Sequence, residues 1–559
     1  MAKRLNSRHS CKKTTLQCQN DKHHFEYLKL KMKPKILQIE SSRTIPGTSR
    51  DNTTSPHRRP NLNPYLITEK MLQEKLKREN TGRYITQLCI GISASLGALS
   101  FGIDLGWSSP ATAFLINATD KPQSSRGINT TEEEYTWIGS LMPLGCSLGI
   151  VPWHYSVTKI GPKHTIIMQT PFYVLTFLVM ITVKTMDAFL AGRFFSGFLS
   201  IANLVGGECL LMDCVHRGNL GHMWVLFRSS IYLGVILAYV VGHFLTRNLI
   251  MVTCAAIPVV NMMLLAFLPE SPVFLYGRSE MKAEKALTWY RGRANIFTEM
   301  RYLKKDAELR KMDTESSNYM LYSKVVIRAL SIICGLIFFQ VFSGYHAFIF
   351  YALLLWQEAE IRMDPFVEII IFGMFLYFGN FFANMIHYHI DFGVRKPLLL
   401  STILTATVLT ILSLYSFSVE KRLISPQSYD WIPFIMLNTF VITYEAGLGV
   451  YAHILLLNYL PYQVHISAKM IVHVWFWLQV FFITKYFITI KSLTTTAITF
   501  GILALISYLS IIYCYLFIIE TKGKNLLQIQ LEIGGNPIGN RSAFSRHKSF
   551  GTSTTPIKV

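Results

Sequence analysis

"LPESPVFLYGRSEMKAEKALTWYRG", Leu268 to Gly292, lies near the middle of the chain and divides it. An apolar run ends at Leu268, a turn places Glu270 between Pro269 and Pro272, and a charged segment follows. Six long apolar blocks precede this turn, near 85–107, 135–153, 164–184, 188–213, 223–245 and 249–268. Six more follow, near 325–355, 366–388, 397–418, 431–457, 468–488 and 495–519. Most reach the roughly 20 residues that a helix needs to cross a bilayer. In hydrocarbon the backbone must satisfy its own hydrogen bonds, so each block predicts a helix. The segment 276–324 is different: "MKAEKALTWYRGR" combines good helix formers with apolar spacing, which predicts short helices outside the membrane.

Composition agrees. The 559 residues are 51% hydrophobic and only 16% charged, against about 25% charged in a soluble domain. The predicted fold class is an all-α membrane protein, with twelve transmembrane helices in two six-helix bundles. The predicted organisation is a disordered basic tail over 1–84, a first bundle over 85–268, a linker with short helices over 269–324, a second bundle over 325–519 and a tail over 520–559. Residues 1–84 hold 19 Lys/Arg and 7 Asp/Glu, so 12 of the net +21 charges lie there. The stretches 276–324 and 522–559 are also basic, and the positive-inside rule places all three in the cytosol. An even number of spans then puts both termini there, and the plasma membrane is the expected location. Met1 to Glu40 is polar and basic throughout, so no signal peptide is read there.

Asn117 and Asn129 open Asn-X-Thr acceptors in the first loop expected outside the cell, and are predicted glycosylation sites. None of the nine cysteines falls in an outside loop, so no disulfide framework is implied. The basic charge comes with no nucleic-acid motif. No phosphate-binding loop, metal-ligand cluster or catalytic triad is present, so the chain is not read as an enzyme and no cofactor is implied.

The halves resemble each other. "TKIGPKHT" (Thr158–Thr165) and "DFGVRKPLLL" (Asp391–Leu400) are both short Gly-bearing turns with basic residues. "LPESP" closes the first half with Glu270, and "IIETKGKNL" closes the second with Glu520. Parallel repeats of this kind occur in secondary transporters. Each acid is expected to pair with an Arg on a neighbouring cytosolic loop.

With "LGWSSPA" (Leu105–Ala111), "WIGSLMPLG" (Trp137–Gly145), "AGRFFSGF" (Ala191–Phe198), "RGNLG" (Arg217–Gly221), "PESPVFL" (Pro269–Leu275), "FQVFSGYHAFIFY" (Phe339–Tyr351) and "ETKGK" (Glu520–Lys524), the chain resembles the sugar porters of the major facilitator superfamily, nearest to the insect facilitated trehalose transporters. The resemblance spans about 85 to 530. It implies two bundles that rock about a central site, with cytosolic ion pairs holding the inner gate closed. A sugar is the implied small-molecule partner and the bilayer the implied surroundings.

Several positions depart from that family pattern. In the cytosolic latch, Arg217, Glu270, Asp391, Arg395 and Glu520 remain, but acidic positions have become Thr158, Leu210 and Asn458, and a basic one His465. In the sugar site, the matching positions hold Gln340, Val341 and His346 on helix seven, Ala452 and His453 on helix ten, and Phe476 before Trp477 on helix eleven. Gln340, His346, His453 and Trp477 are the expected substrate-binding set. The helix-five position falls on Val225 or Arg228, depending on the direction of counting. Asp104, inside helix one, is an ionisable residue where such residues are costly and functional by default; the resemblance pairs it with Arg193 as a proton-coupling candidate. Two functions follow: a carrier for a sugar or similar small polar solute working by alternating access, and a non-transporting membrane sensor or scaffold that kept the fold.

Overall fold

The computed structural model describes residues 84–534, apart from 112–131, 184, 246, 293–295, 306, 309–320, 360–361, 390–392 and 462–463. Asn117, Asn129, Asp391, residues 1–83 and residues 535–559 lie outside the described residues. The first half contains α1 (Tyr84–Gly106), α2 (Glu132–Ile160), α3 (Pro162–Thr182), α4 (Met186–Cys214), α5 (Arg217–Phe244) and α6 (Arg247–Phe267). The linker contains α7 (Pro272–Tyr276) and α8 (Glu280–Arg291). The second half contains α9 (Lys324–Phe342), α10 (Tyr345–Phe350), α11 (Ala352–Glu358), α12 (Pro365–His389), α13 (Arg395–Glu420), α14 (Trp431–Glu445), α15 (Leu448–Tyr459), α16 (His465–Leu493) and α17 (Thr496–Phe517), with α18 (Leu526–Glu532) after it.

Among the described residues, eleven helical stretches are long and apolar enough to cross a membrane. The twelfth, α2, is less apolar because it runs on through the polar "HYSVTK" stretch and contains Pro143 and Pro152. It packs between α4 and α16. Large apolar side chains such as Phe172, Leu175, Leu505 and Tyr515 are more than half exposed. An apolar belt of this kind needs lipid around it.

Helices within a half approach closely through small residues, as membrane helices do when packing rather than hydrophobicity joins them. At the crossing of α1 and α5, a Cβ on Gly102 would lie 1.8 Å from the Ile231 carbonyl oxygen, and one on Gly234 would lie 2.2 Å from that of Leu99. The halves meet mainly along α2 with α16 and α5 with α12. The Ser147 hydroxyl donates to the Val474 carbonyl across this boundary, and that of Ser109 accepts from the Leu353 amide.

Two apolar blocks read as continuous spans are broken in the middle. The 325–355 block divides at Gly344, whose φ of +94° lies in the left-handed region, where glycine carries no steric penalty. The 431–457 block divides at Gly447, and Ser401 of α13 bridges that break: its hydroxyl donates to the Thr443 carbonyl at 2.6 Å and accepts from the Leu448 amide at 3.2 Å. Broken helices at membrane depth persist when a neighbour satisfies the freed backbone groups in this way.

The linker is anchored. Thr86 donates to the Tyr290 carbonyl, the Tyr290 hydroxyl to that of Pro269, and Arg291 both to the Cys214 carbonyl and to Glu299.

Candidate functional site

The helix breaks bring the expected binding set together. Gln340 ends α9 and His346 lies in α10, on opposite sides of Gly344. His453 comes from α15, beyond Gly447, and Trp477 from α16. Phe476 is their common neighbour: its ring centroid is 5.1 Å from His346, 6.2 Å from His453 and 5.1 Å from Trp477. Trp477 reaches the other half, with Phe101 of α1 at 5.4 Å. Gln340 joins through Tyr444, which stacks on Tyr345 at 3.8 Å, next to His346. The polar groups here are not saturated. Among the described residues, Gln340 Oε1, His346 Nδ1, His453 Nδ1 and both polar atoms of the Gln479 amide are buried and find no partner. Buried polar atoms are nearly always bonded, so a patch of open ones where the two halves meet suits a hydroxylated solute.

Asp104 and Arg193 are fully buried and directly paired, Arg193 Nη1 to Asp104 Oδ1 at 2.9 Å. Ser196 and Ser200 donate to the same carboxylate, at 3.0 and 3.2 Å. Arg193 also donates to the Ile138 carbonyl and lies over the Trp107 ring, 4.7 Å from its centroid. The pair thus ties α1, α2 and α4 at one point.

The expected Arg217–Glu270 pair is not formed. Arg217 is exposed, with no hydrogen bond or ion pair among the described residues. Glu270 instead caps α3: it accepts from the amides of Lys163 and His164 at 3.1 and 3.3 Å, and meets the His164 ring at 2.6 Å. Glu520 does the same for α13, accepting from Val394 and Arg395 at 2.9 and 3.3 Å. A carboxylate at a helix N-terminus satisfies orphan N–H groups and complements the dipole. Burial pushes the Glu520 carboxyl up, but four backbone amides outweigh it and hold it below its ordinary value. Arg395 donates to the Tyr515 carbonyl at 2.5 Å and lies over the Tyr515 ring. Each end-of-half acid therefore holds a helix start within its own half.

Connections between the halves come mostly from residues the sequence reading missed. Glu208 of α4 pairs with Lys469 of α16 near the linker end. Near the other end, Lys485 of α16 donates to Thr136 Oγ1 at 2.8 Å and lies 3.8 Å from the Trp137 ring centroid. Glu445, buried at the α14 break, accepts from the hydroxyls of Tyr232 and Tyr345 and from Asn380. All four charges stand inside apolar blocks, and that placement alone marks intramembrane ionisable residues as functional.

Twelve membrane-length helices in two halves, helices broken at mid-depth and open polar groups at the boundary between halves define a secondary membrane transporter of the major facilitator type. The chain matches the family described as "Sugar (and other) transporter" over residues 90–532, and belongs to it. It is 27% identical over 515 residues to the facilitated trehalose transporter Tret1 of Apis mellifera ligustica, covering 89% of this chain and 98% of that protein. With the Bombyx mori facilitated trehalose transporter Tret1 it shares 30% over 463 residues, covering 80% and 87%. Among solved structures, it resembles the proton:xylose symporter XylE bound to 6-bromo-6-deoxy-D-glucose, with TM-score 0.64, 17% identity and coverage of 80% and 98%. The inward open xylose transporter XylE from E. coli gives TM-score 0.65 at 17% identity, covering 80% and 99%. The chain is a multi-pass membrane sugar carrier, and the scaffold reading is not favoured.

Proposed function

We propose that this carrier moves a small sugar across the plasma membrane by alternating access, with both termini in the cytosol, and that it couples the movement to a proton at Asp104. The sugar contacts Gln340, His346, His453 and Trp477 between the halves. As the halves rock, Glu208–Lys469 closes the linker end, and Lys485 on Thr136 and Trp137 closes the other. The observation that carries the coupling is the fully buried Asp104–Arg193 pair at 2.9 Å. Burial without a counter-charge favours a neutral acid, and an adjacent Arg favours the carboxylate. A rocking step that separates Arg193 from Asp104 therefore invites a proton, and the return step expels it.

The test is uptake by the full chain in oocytes, with a labelled panel that includes trehalose and xylose, the sugars of the related transporters. Wild-type uptake should rise as external pH falls, and Asp104→Asn should abolish that response. Undiminished pH dependence in Asp104→Asn rules Asp104 out as the coupling group.

A further inference from the structure

Arg228 of α5 is the charge that the sugar reading does not use. Arg228, Tyr232, Val235 and Tyr239 follow one another at helical spacing, so they share one face of α5. That face meets the second half: the Tyr232 hydroxyl donates to Glu445, and that of Tyr239 to the Ile349 carbonyl. Arg228 is half-buried and lies within electrostatic reach of His453 and His473, and of Tyr444. Among the described residues no carboxylate lies within ion-pair distance of it. The nearby acids are engaged elsewhere, Glu208 with Lys469 and Glu445 with two tyrosines and an asparagine. A guanidinium turned inward at membrane depth without a counter-ion is expensive. Of the open polar atoms, His453 Nδ1 belongs to a ring within that reach, Gln340 follows through its bond to Tyr444, and His346 follows through Phe476, which it shares with His453.

The geometry points to an acidic sugar, a hexose-sized solute bearing a carboxylate, as the preferred substrate: Arg228 takes the carboxylate, and Gln340, His346 and His453 take the hydroxyls. This rests on the carrier reading above and names its substrate class. Arg presents a planar fork that matches a carboxylate with two parallel hydrogen bonds, and such charge-assisted bonds are about twice as strong as neutral ones. Lys485, whose ammonium bonds the Thr136 hydroxyl, adds positive charge towards the mouth away from the linker, which draws an anion inward.

The experiment compares labelled glucuronate and glucose, two solutes of one size differing in charge, using the full chain in proteoliposomes. The variants are Arg228→Gln and Arg228→Lys, each checked for a monodisperse elution profile. Wild type should take up glucuronate in preference to glucose. Arg228→Gln should lower glucuronate uptake by about tenfold or more, the scale for losing a charged partner, and lower glucose uptake far less. Arg228→Lys should restore part of the glucuronate uptake. Glucose uptake without saturable glucuronate uptake overturns this inference and leaves the carrier reading standing. Equal losses of both solutes in Arg228→Gln overturn it too, since Arg228 is then a structural residue. Wild-type protein that moves neither, nor any sugar of the panel, overturns the carrier reading and this inference with it.

Discussion

Removing Arg193 alone should cost far more than removing it together with the charge of Asp104. Both side chains are fully buried and meet at 2.9 Å. In Arg193→Met the carboxylate keeps only the hydroxyls of Ser196 and Ser200, and breaking a buried ion pair from one side costs about 3–5 kcal/mol. The bond from Arg193 Nε to the Ile138 carbonyl is lost as well, worth about 1 kcal/mol net. The expected loss is about 5 kcal/mol. With specific unfolding entropies near 2 cal/mol/K per residue, the midpoint falls by about 6 °C over the folded part of a chain of this size. Asp104→Asn should be similarly costly, because it strands the guanidinium. In the double variant the amide that replaces the Asp104 carboxylate still has Ser196 and Ser200 as partners and no charge is stranded; replacing a buried ion pair by neutral groups is often close to neutral. The cycle should therefore give a coupling energy of about 2 kcal/mol or more. Thermal midpoints of detergent-purified protein, followed by fluorescence-detected size exclusion, measure all four forms. If the two single losses simply add in the double variant, the pair is not the energetic unit described.

Three further outcomes follow from the helix caps and the closures. Gly393→Ala should destabilise by at least about 1–2 kcal/mol from the left-handed backbone, because its φ is +77° and the new Cβ would lie 2.4 Å from Glu520 Oε1; an unchanged midpoint contradicts the cap. The folded Glu520 carboxyl is held below its ordinary 4.5, so its contribution is full above pH 4.5 and is lost as pH falls through the folded value. A scan of thermal midpoints downward from pH 6 should show a smaller acid-induced loss in Glu520→Gln than in wild type, and parallel losses would exclude the assignment. Glu208→Gln should loosen α4 from α16, so a membrane-impermeant thiol reagent should label the neighbouring Cys209 several-fold faster from the linker side; no change in rate counts against that closure.

Much of the fold is legible in the sequence, because the bilayer imposes a length and a composition that apolar blocks reveal directly. The breaks at Gly344 and Gly447 are not, since the chain stays apolar through both and only the neighbour that repairs them, Ser401 for the second, shows why a helix can stop there. Glu270 and Glu520 are recognisable as equivalent ends of two halves. Their role as helix caps is not, because it depends on backbone amides more than 100 residues away. The matched positions Gln340, His346, His453 and Trp477 do converge, through Phe476 and the Tyr345–Tyr444 stack, because equivalent helices hold equivalent places. Glu445, Lys469 and Lys485 went unread, since each charge acquires meaning only from a partner on another helix.

The central claim is that this chain carries sugar through the polar patch between its halves. Counterflow of labelled sugars, trehalose, xylose, glucose and glucuronate, into proteoliposomes holding the full chain tests it most directly. The account predicts saturable uptake of at least one of them by wild type, reduced at least about tenfold in Gln340→Ala, where a buried partner for a hydroxyl is lost. Correctly inserted wild-type protein that moves none of them, or a Gln340→Ala variant that moves its sugar unimpaired, would contradict it.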